Sequence, residues 1–308
     1  LESVLRQTRP PDELIVSDDG SSDRTLEIVR RLTADCSFPV VVRQNDHNLG
    51  DIKNFEKAVE AATGDIIFLS DCDDVWFPEK IAAMVPRFVE SPDVVLAYCN
   101  AEITDVDLRP TGGTLFERRR DMQLGARLTA DQIGRGLGFN APMMAFHSML
   151  KPFVLPFSNQ WCHDHWISFI AYAMGEVKSV EQPLLYYRRH GKNVGGDPDL
   201  DGGFWHHFRV AAKKSEFKQY AHRVRRFDHM VRRLQEIKAS GTPLRTHNRL
   251  DELLKESEDC LRFARMREAL KQRPRLVRIP AGLASLARGD YRRHAHGAKS
   301  FIQDVAIP

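Results

Sequence analysis

Short apolar runs alternate along most of the chain with segments whose apolar residues recur every three or four positions. The runs at residues 14–17, 39–43, 65–69 and 93–99 have the composition of strands that are buried on both faces. The segments between these runs have the spacing of helices. Because parallel strands are joined by helical crossovers, the pattern predicts an α/β fold with a largely parallel sheet.

The remainder of the chain adds further elements to this prediction. We expect helices at residues 24–32, 52–62, 78–89 and 163–174, short strands at 177–180 and 184–188, and a polar loop at 100–125. A glycine-rich linker is predicted at 191–203, followed by helices at 204–237, 248–270 and 279–287. The predicted domains are therefore an α/β domain at 1–197 and a helical extension at 198–308.

The composition is that of an ordinary globular protein, but its charge is unevenly distributed. Of the 308 residues, 42% are hydrophobic and 28% are charged, and the formal net charge is +3. From Asp201 onward, 24 Lys and Arg residues stand against 12 Asp and Glu residues. The acidic first part is suited to a metal site, and the basic extension is suited to an anionic surface.

The basic extension also carries aromatic residues, which together would form an amphipathic helix for peripheral contact with an anionic membrane: Phe204, Trp205, Phe208 and Phe217. A solvated helical face and an interaction module remain alternatives, and nucleic acid is disfavoured because no known nucleic-acid motif is present. The five cysteines are scattered, and no apolar run approaches the ~18 residues of a membrane span. We therefore expect a cytoplasmic protein that could lie at the inner face of the plasma membrane.

Three carboxylates follow the apolar run at residues 65–69 within four positions: Asp71, Asp73 and Asp74. Ligands of open α/β sheets bind at the carboxyl ends of the strands, where these acids are expected. A hard divalent cation, Mg²⁺ or Mn²⁺, together with a ligand diphosphate would neutralise them. A solvated acidic turn is the alternative. A further alternative is a phosphatase, because D-x-D-x-V after an apolar strand is also a haloacid-dehalogenase-like nucleophile motif, with Asp71 as the nucleophile.

Several motifs occur in an order that is more specific than any one of them. They are SVLRQTRPPDELIVSDDGSSDRT at residues 3–25, NLG at 48–50, ATGDIIFLSDCDDVWFPEKI at 62–81, HDHW at 163–166 and YRRHGKNVGG at 187–196. Over residues 1–196 the chain resembles the family 2 glycosyltransferases, which implies the GT-A fold, a Rossmann-like and mostly parallel sheet flanked by helices. SDCDDVW and the downstream YRRHGKN look most like the rhamnosyltransferase-like branch. The family's first strand has no counterpart before Leu1, which leaves an open slot beside the strand at 14–17.

The resemblance implies roles for residues at the ends of the predicted strands. Asp73 is expected to bind the divalent cation, and Asp71 to contact either the metal or the ribose. Asp19 is expected to accept hydrogen bonds from the base; the alternative is an Asx-turn or a helix cap, a role that Asp18 or Asp23 could serve equally well. Asn48, Gly50 and Lys53 are expected to lie near the nucleotide. Gly50 would allow a positive φ or a close approach of the backbone, and Lys53 could contact a phosphate.

Later motifs supply the expected chemistry. The resemblance implies that Asp164, at the start of a helix, is the catalytic base, although an aspartate there could merely cap the helix. Arg188 and His190 are expected near the diphosphate, with an ordinary surface strand end as the alternative.

The sequence thus predicts a metal-dependent, inverting transferase that moves a sugar from a nucleotide diphosphate donor, such as dTDP-rhamnose, to an acceptor. The acceptor would be a glycan or a lipid-linked glycan in surface polysaccharide synthesis. A non-catalytic glycan-binding or scaffold protein of the same fold is the alternative from another functional class.

Overall fold

A computed structural model describes residues 1–118, 128–134, 139–190, 216–294 and 298–306. The chain divides into two compact units. The first comprises Leu1–Leu128, Gly136–Lys192 and Gly241–Leu250, and the second comprises Thr129–Arg135, Asn193–Ser240 and Asp251–Pro308. The division at 197/198 that the sequence suggests remains a prediction. The glycine-rich linker at 191–203 and three of the four aromatic residues (Phe204, Trp205 and Phe208) lie outside the described residues.

The first unit contains the strands and the shorter helices. Its strands are β1 (Leu14–Asp18), β2 (Val40–Gln44), β3 (Ile66–Phe68), β4 (Val75–Trp76), β5 (Val94–Thr104), β6 (Pro110–Thr114), β7 (Met144–His147) and β8 (Glu176–Arg188). Its helices are α1 (Glu2–Leu5), α2 (Thr25–Thr33), α3 (Asp51–Ala61), α4 (Lys80–Met84), α5 (Pro86–Glu90), α6 (Leu115–Arg118), α8 (Lys151–Val154) and α9 (His163–Met174). A short helix of the second unit, α7 (Ala130–Gly134), comes between α6 and α8 in the chain.

The two most extensive strand pairings are parallel. β1 pairs with β2 from Leu14–Val40 to Asp18–Gln44, and β5 pairs with β8 from Val94–Glu176 to Thr104–Arg188. Shorter antiparallel pairings join β3 to β7, β7 to β5, β6 to β5 and β4 to β8. The α/β fold with helices on its sheet is confirmed, and its largest ladders are the parallel ones.

The core of this unit lies around β5 and α9. Every residue of β5 except Glu102 is buried, and the side chains from Trp166 to Ala171 on α9 are almost completely inaccessible to solvent. Such continuous apolar runs are expected for elements that are covered on both sides. This rigid centre fixes the strand ends on which the candidate site is built.

The predicted loop at residues 100–125 is partly wrong, because β5 continues to Thr104 and β6 returns beside it. The polar residues that suggested a loop have partners inside the sheet. Asn100 is buried, and its Oδ1 accepts hydrogen bonds from the backbone nitrogens of Ala101 at 2.8 Å and Phe116 at 3.1 Å. A buried amide that is satisfied in this way is compatible with a strand.

The two strands predicted at 177–180 and 184–188 form one strand, β8, which passes through Pro183. The register with β5 shifts between Cys99 and Asn100, opposite Val180 and Pro183. Because proline cannot donate a ladder hydrogen bond, an irregularity at this point lets the strand continue. The helix predicted at 78–89 is instead divided into α4 and α5, and Pro86 begins the second of them.

The second unit is helical. Besides α7 it contains α10 (Glu216–Ala239), α11 (Leu250–Lys271), which begins at the unit boundary, α12 (Arg275–Ala287), α13 (Asp290–His294) and α14 (Ala298–Ala306). Its buried polar cluster joins Arg267 on α11, Asp304 on α14 and Tyr291 on α13, with Arg267 Nε 2.6 Å and Tyr291 Oη 2.8 Å from Asp304 Oδ2. Where the structure describes them, the helices predicted at 204–237, 248–270 and 279–287 are present, whereas residues 241–249 are not helical and belong to the first unit.

Candidate functional site

Asp19 follows β1 and holds the loop that precedes α3. Its Oδ1 accepts hydrogen bonds from Asn45 Nδ2 at 2.9 Å and from the backbone nitrogen of Leu49 at 2.8 Å, and its Oδ2 accepts one from Gly50 N at 2.9 Å. Partial burial works to raise the pKa of Asp19, but the bonds from Leu49, Asn45 and Gly50 outweigh it and hold that pKa below its usual value. Asp19 is therefore an ionised anchor of this loop.

Asn45 and Asn54 connect this anchor to β1 and α3. Asn54 Oδ1 accepts hydrogen bonds from Ser17 Oγ at 2.7 Å and Asn45 Nδ2 at 3.0 Å, while Asn54 Nδ2 donates to the Ser17 carbonyl at 2.9 Å. Lys57 Nζ completes the cluster with a 3.0 Å bond to Asn45 Oδ1. Sequence reasoning missed these residues; the available signals were the position of Asn45 between the end of β2 and the NLG turn, and the positions of Asn54 and Lys57 on the helix that follows that turn.

Of the three residues predicted to lie near the nucleotide, Gly50 has the expected backbone conformation, whereas the side chains of Asn48 and Lys53 bond to neighbouring residues of the chain. Gly50 adopts φ +85°, as predicted, and begins α3. Asn48 Oδ1 accepts a 3.1 Å bond from Gly50 N, which is turn chemistry. Lys53 Nζ lies 2.7 Å from Glu56 Oε1, so that its ammonium group is engaged by a neighbour on the same helix. Its predicted contact with a phosphate remains a prediction.

The three acids after β3 lie together. Asp71, Asp73 and Asp74 each offer a carboxylate oxygen, and these oxygens all lie within 4.8 Å of one another. Burial, followed by the charges of Asp74, Asp73 and Asp164, raises the pKa of Asp71 to about 7. Burial is also the main cause that raises the pKa of Asp74, to about 6. Mutual repulsion of this kind is relieved when a cation binds between the carboxylates.

The end of β8 contacts this acidic turn. β4, which follows the acids directly, pairs with β8 through Val75–Tyr186 and Trp76–Leu185. The backbone nitrogen of Arg188 donates a 2.9 Å hydrogen bond to Asp74 Oδ1. Two residues further on, His190 Nε2 lies 2.8 Å from Asp73 Oδ2. The structure thus brings Arg188 and His190 to the acids, and their expected place near a diphosphate remains a prediction.

A buried lysine lies beneath the same turn. Lys80 has no solvent-accessible surface, its Nζ donates to the carbonyl of Pro142, and that nitrogen is 3.8 Å from the centre of the Trp76 ring. Burial lowers the pKa of Lys80 to about 8, against the opposing influence of Cys99, Asp74 and Asp71. Lys80 is a further residue that sequence reasoning missed; its position at the start of the helix after the acids was the only signal.

Asp164 lies in the first turn of α9, where its Oδ1 accepts a 2.7 Å hydrogen bond from the backbone nitrogen of His165. Its charge contributes to the raised pKa of Asp71, so that the two motifs act on each other electrostatically. Cys162, Asp164 and His165 also offer ligand atoms within 4.8 Å of one another. The Asp164 carboxylate thus belongs to a different element from the acidic turn and influences Asp71 through its charge.

The neighbours of Asp164 are structural. Trp166 is fully buried and donates through Nε1 to the Val154 carbonyl at 2.9 Å, in agreement with a buried helix aromatic rather than a sugar-stacking surface. His163 stacks on Phe55 with ring centroids 4.1 Å apart. Burial lowers the pKa of His163, so that this imidazole is neutral near pH 7.

A cavity of about 570 Å³ borders the acidic turn in the first unit. It is lined by Asp74 and Arg188 together with Cys72, Trp76, Pro78 and residues of α1. Clefts of this size bind small organic ligands. None of the helices in the described parts of the chain has the length and apolar character needed to cross a lipid bilayer.

Comparisons with known proteins agree with this geometry. The family model described as glycosyl transferase family 2 matches residues 1–147. An uncharacterized glycosyltransferase of Nostoc sp. is 27% identical over 208 residues, covering 63% of this chain and 60% of that protein. The Escherichia coli protein WfaP, a UDP-Glc:α-D-GlcNAc-diphosphoundecaprenol β-1,3-glucosyltransferase, is 24% identical over 194 residues, covering 63% and 72%.

Among solved structures, a fragment of S. aureus TarS in complex with UDP-GlcNAc superposes with a TM-score of 0.52. The match covers 97% of this chain and 84% of that one at 16% identity, which concerns the fold alone. The chain spans about three-fifths of the length of the Nostoc relative. Over residues 1–147 the chain is thus similar to family 2 glycosyltransferases, and its α/β architecture is that of the GT-A fold.

Proposed function

We infer that this chain is a metal-dependent, inverting glycosyltransferase that uses a nucleotide diphosphate sugar as donor. One observation carries the proposal: the acids of the D-x-D turn lie within 4.8 Å of one another, with His190 2.8 Å from Asp73 and with Asp164 acting electrostatically on Asp71. Carboxylates that repel one another in a partly buried turn are costly unless a cation or a ligand uses them.

The donor set fits a hard divalent cation. Asp71 and Asp73 offer carboxylate oxygens and His190 offers an imidazole nitrogen, a combination that suits Mg²⁺ or Mn²⁺, the nitrogen favouring Mn²⁺. Burial, reinforced by the charges of Asp74, Asp73 and Asp164, raises the pKa of Asp71, and a cation bound between the carboxylates would oppose that effect. When bound, the cation would neutralise the diphosphate of the departing nucleotide.

The protein's own residues would perform the remaining steps. Asp164 would accept the proton of the acceptor hydroxyl as that oxygen bonds to the anomeric carbon and the bond to the diphosphate breaks. Asp164 lies in the first turn of α9, where the backbone nitrogen of His165 holds its Oδ1 in place. Arg188, whose backbone is fixed on Asp74, lines the cavity and would neutralise diphosphate charge.

Asp19 would act on the donor nucleotide through the loop that it anchors. Its oxygens already hold Asn45, Leu49 and Gly50, so that its hydrogen-bonding capacity toward a base is partly used. We therefore propose a shared role, in which Asp19 orders the Asn48–Gly50 turn and keeps a lone pair for the base. Lys53 would have to leave Glu56 to reach a phosphate.

The donor and acceptor classes are suggested by the relatives. WfaP is named for UDP-Glc and a diphosphoundecaprenol acceptor, and the TarS fragment was solved with UDP-GlcNAc. For this chain we propose a UDP- or dTDP-hexose donor, with dTDP-rhamnose included because of the rhamnosyltransferase-like motifs. We further propose a glycan or lipid-linked glycan acceptor in surface polysaccharide synthesis, encountered at the cytoplasmic face of the membrane.

The test is donor binding and turnover by the purified chain. UDP-Glc, UDP-GlcNAc and dTDP-rhamnose would each be incubated with and without Mn²⁺, and both free nucleotide and transfer to a polyprenyl-diphosphate-linked sugar would be measured. We expect Mn²⁺-dependent release of nucleotide from one donor and none in EDTA. Binding of glycans without any donor turnover would favour the non-catalytic alternative, and hydrolysis of p-nitrophenyl phosphate would favour the phosphatase.

A further inference from the structure

Helix α12 (Arg275–Ala287) has the reverse of the usual polarity of a surface helix. Its buried side includes Arg278 and Ser285, which are 8% and 0% exposed. Its exposed side is apolar: Val277, Ile279 and Leu283 are 48%, 42% and 49% exposed. A surface helix ordinarily turns its apolar side inward, and a helix that is apolar on its outer side normally has that side covered.

The buried polar groups of this helix are satisfied. Arg278 Nε donates to the Arg273 carbonyl at 2.8 Å and Arg278 Nη2 to the Lys271 carbonyl at 3.0 Å. Ser285 Oγ donates to Asp290 Oδ2 at 2.8 Å. The orientation of the helix is therefore fixed by specific contacts, and exposure of its apolar side is a property of the fold rather than a misplaced register.

The apolar residues form one continuous surface. At about 100° per residue, the exposed positions fill an arc of roughly 160° around the helix axis. These positions are Val277, Ile279, Pro280, Leu283, Ala284 and Ala287. On the opposite side, Gly282 lets α14 approach closely, because a Cβ at that position would lie 2.9 Å from Phe301. We call the exposed arc the α12 apolar face.

Positive charge surrounds the α12 apolar face. Between Lys271 and Arg293 the sequence contains six Lys and Arg residues besides the buried Arg278, and one acidic residue, Asp290, which pairs with Arg288. Arg273 is exposed just before the helix, and Arg288, Arg292 and Arg293 are exposed just after it. An apolar face with arginines at both ends is the composition of a helix that lies in the interface of an anionic bilayer.

The size of the face favours a bilayer over a second protein. A helix of 13 residues is about 20 Å long, and with a width of about 10 Å its face covers about 200 Å². A stable protein interface buries about 800 Å² on each partner. An interfacial helix needs only to bury its apolar face at the level of the lipid headgroups, where the flanking arginines meet the phosphates.

We propose that the α12 apolar face docks this protein on anionic phospholipid membranes. The inference deepens the proposed function, because a lipid-linked acceptor would be presented at such a surface. It concerns a different helix from the aromatic segment at 204–217, whose predicted membrane contact remains a prediction, and it expects Val277, Ile279 and Leu283 to enter the interface.

The test is sedimentation of the full chain with vesicles, without donor or acceptor. We expect binding to phosphatidylcholine vesicles that contain 30% phosphatidylglycerol, and at least tenfold weaker binding to pure phosphatidylcholine. Ile279→Glu with Leu283→Glu should reduce binding at least tenfold, and Arg292→Gln with Arg293→Gln should reduce it severalfold. The control Val89→Glu changes an exposed apolar residue (78% exposed) on α5 and should bind as the wild type does.

The controls separate this inference from the proposed function. The double glutamate variant should retain the wild-type circular dichroism spectrum, melting temperature and rate of donor hydrolysis in solution. Vesicle binding that survives both double variants would overturn the inference. So would a wild-type dimer that does not bind vesicles and that the glutamate variant converts to a monomer. If neither the wild type nor any variant hydrolyses a donor, but the wild type binds vesicles, the result would count against the proposed function alone.

Discussion

His190 Nε2 and Asp73 Oδ2 lie 2.8 Å apart, across 117 positions of sequence. The contact joins the end of β8 to the acidic turn after β3. An imidazole beside a carboxylate can either pair with it or share a cation with it, and the neighbouring acids favour the second arrangement when a cation is present.

We expect His190→Ala to weaken Mn²⁺ binding about 10- to 100-fold while leaving the fold intact, because one ligand or its orienting partner is lost. Calorimetric titration with Mn²⁺ in the presence of UDP measures the effect. His247→Ala is the matched control. His247 Nδ1 also lies 2.8 Å from an aspartate, but that aspartate, Asp93, is not part of the acidic turn. Equal Mn²⁺ affinity in the two variants would contradict the role of His190.

Asp164→Asn should lower sugar transfer by about 10²- to 10⁴-fold, because an amide cannot accept the proton of the acceptor hydroxyl. Donor and Mn²⁺ affinities should stay within about threefold, since the substituted group lies on α9 rather than in the turn that would hold them. The measurement is kcat for transfer beside the dissociation constant of the donor. The control is Asp251→Asn, another acid in the first turn of a helix. Full transfer activity in Asp164→Asn would exclude the base.

Stability without metal should fall as pH rises from about 4 to about 7. The pKa of Asp71 is raised to about 7 and that of Asp74 to about 6, so the folded chain keeps protons that the unfolded chain has already released. An acid with a raised pKa destabilises the fold as pH passes its unfolded value, by at most about 1.4 kcal/mol per pH unit, and the loss is complete above the folded pKa.

Urea denaturation in EDTA at several pH values measures this slope. The double variant Asp71→Asn with Asp74→Asn removes both groups, and its stability relative to the wild type should increase over the same pH range. Mn²⁺ should stabilise the wild type at pH 7.5 and have less effect at pH 5, where Asp71 and Asp74 are mostly protonated. A pH-independent difference between the two proteins would show that these acids are not coupled to folding.

Apolar periodicity determines the alternation of strands and helices, so the sequence predicts it. The position of the acids directly after a strand likewise predicts that they lie together at one edge of the sheet. β1, β2 and α9 follow within about a residue. Where the prediction is wrong, the cause is tertiary. Asn100 belongs to a strand because Phe116 satisfies its amide, a contact that no local pattern reveals.

The same limit applies to the candidate site. Asp71, Asp73 and His190 are found through motifs, whereas Lys80 is found only in the structure, because nothing local distinguishes a lysine that is completely buried from one that is exposed at a helix start. The α12 apolar face was likewise invisible, since an apolar segment of 13 residues ordinarily predicts a buried helix.

Lys80→Ala should destabilise the protein by roughly 2–5 kcal/mol, because it leaves a cavity beside Trp76 and removes the donor to the Pro142 carbonyl. Lys80→Met fills the cavity and leaves only the carbonyl unsatisfied, so that a loss of about 1–3 kcal/mol is expected. Chemical denaturation of both variants separates packing from hydrogen bonding. Equal losses would mean that the aliphatic part of the side chain contributes nothing.

Gly50→Ala should destabilise the turn that Asp19 anchors. Gly50 adopts φ +85°, a conformation in which a side chain clashes with the residue's own backbone at a cost of about 1–2 kcal/mol. No other atom lies within 4 Å of the Cβ position, so this backbone strain is the whole expected effect. Gly64→Ala is the control: its φ is outside the left-handed region and its nearest neighbour, Glu13 Oε1, is 3.6 Å away. We expect Gly50→Ala alone to lower the melting temperature and to weaken UDP binding, because the nitrogen of Gly50 must stay 2.9 Å from Asp19 Oδ2 for the loop to keep its shape. If the two variants have the same melting temperature and bind UDP equally, the turn that Asp19 anchors does not affect nucleotide binding.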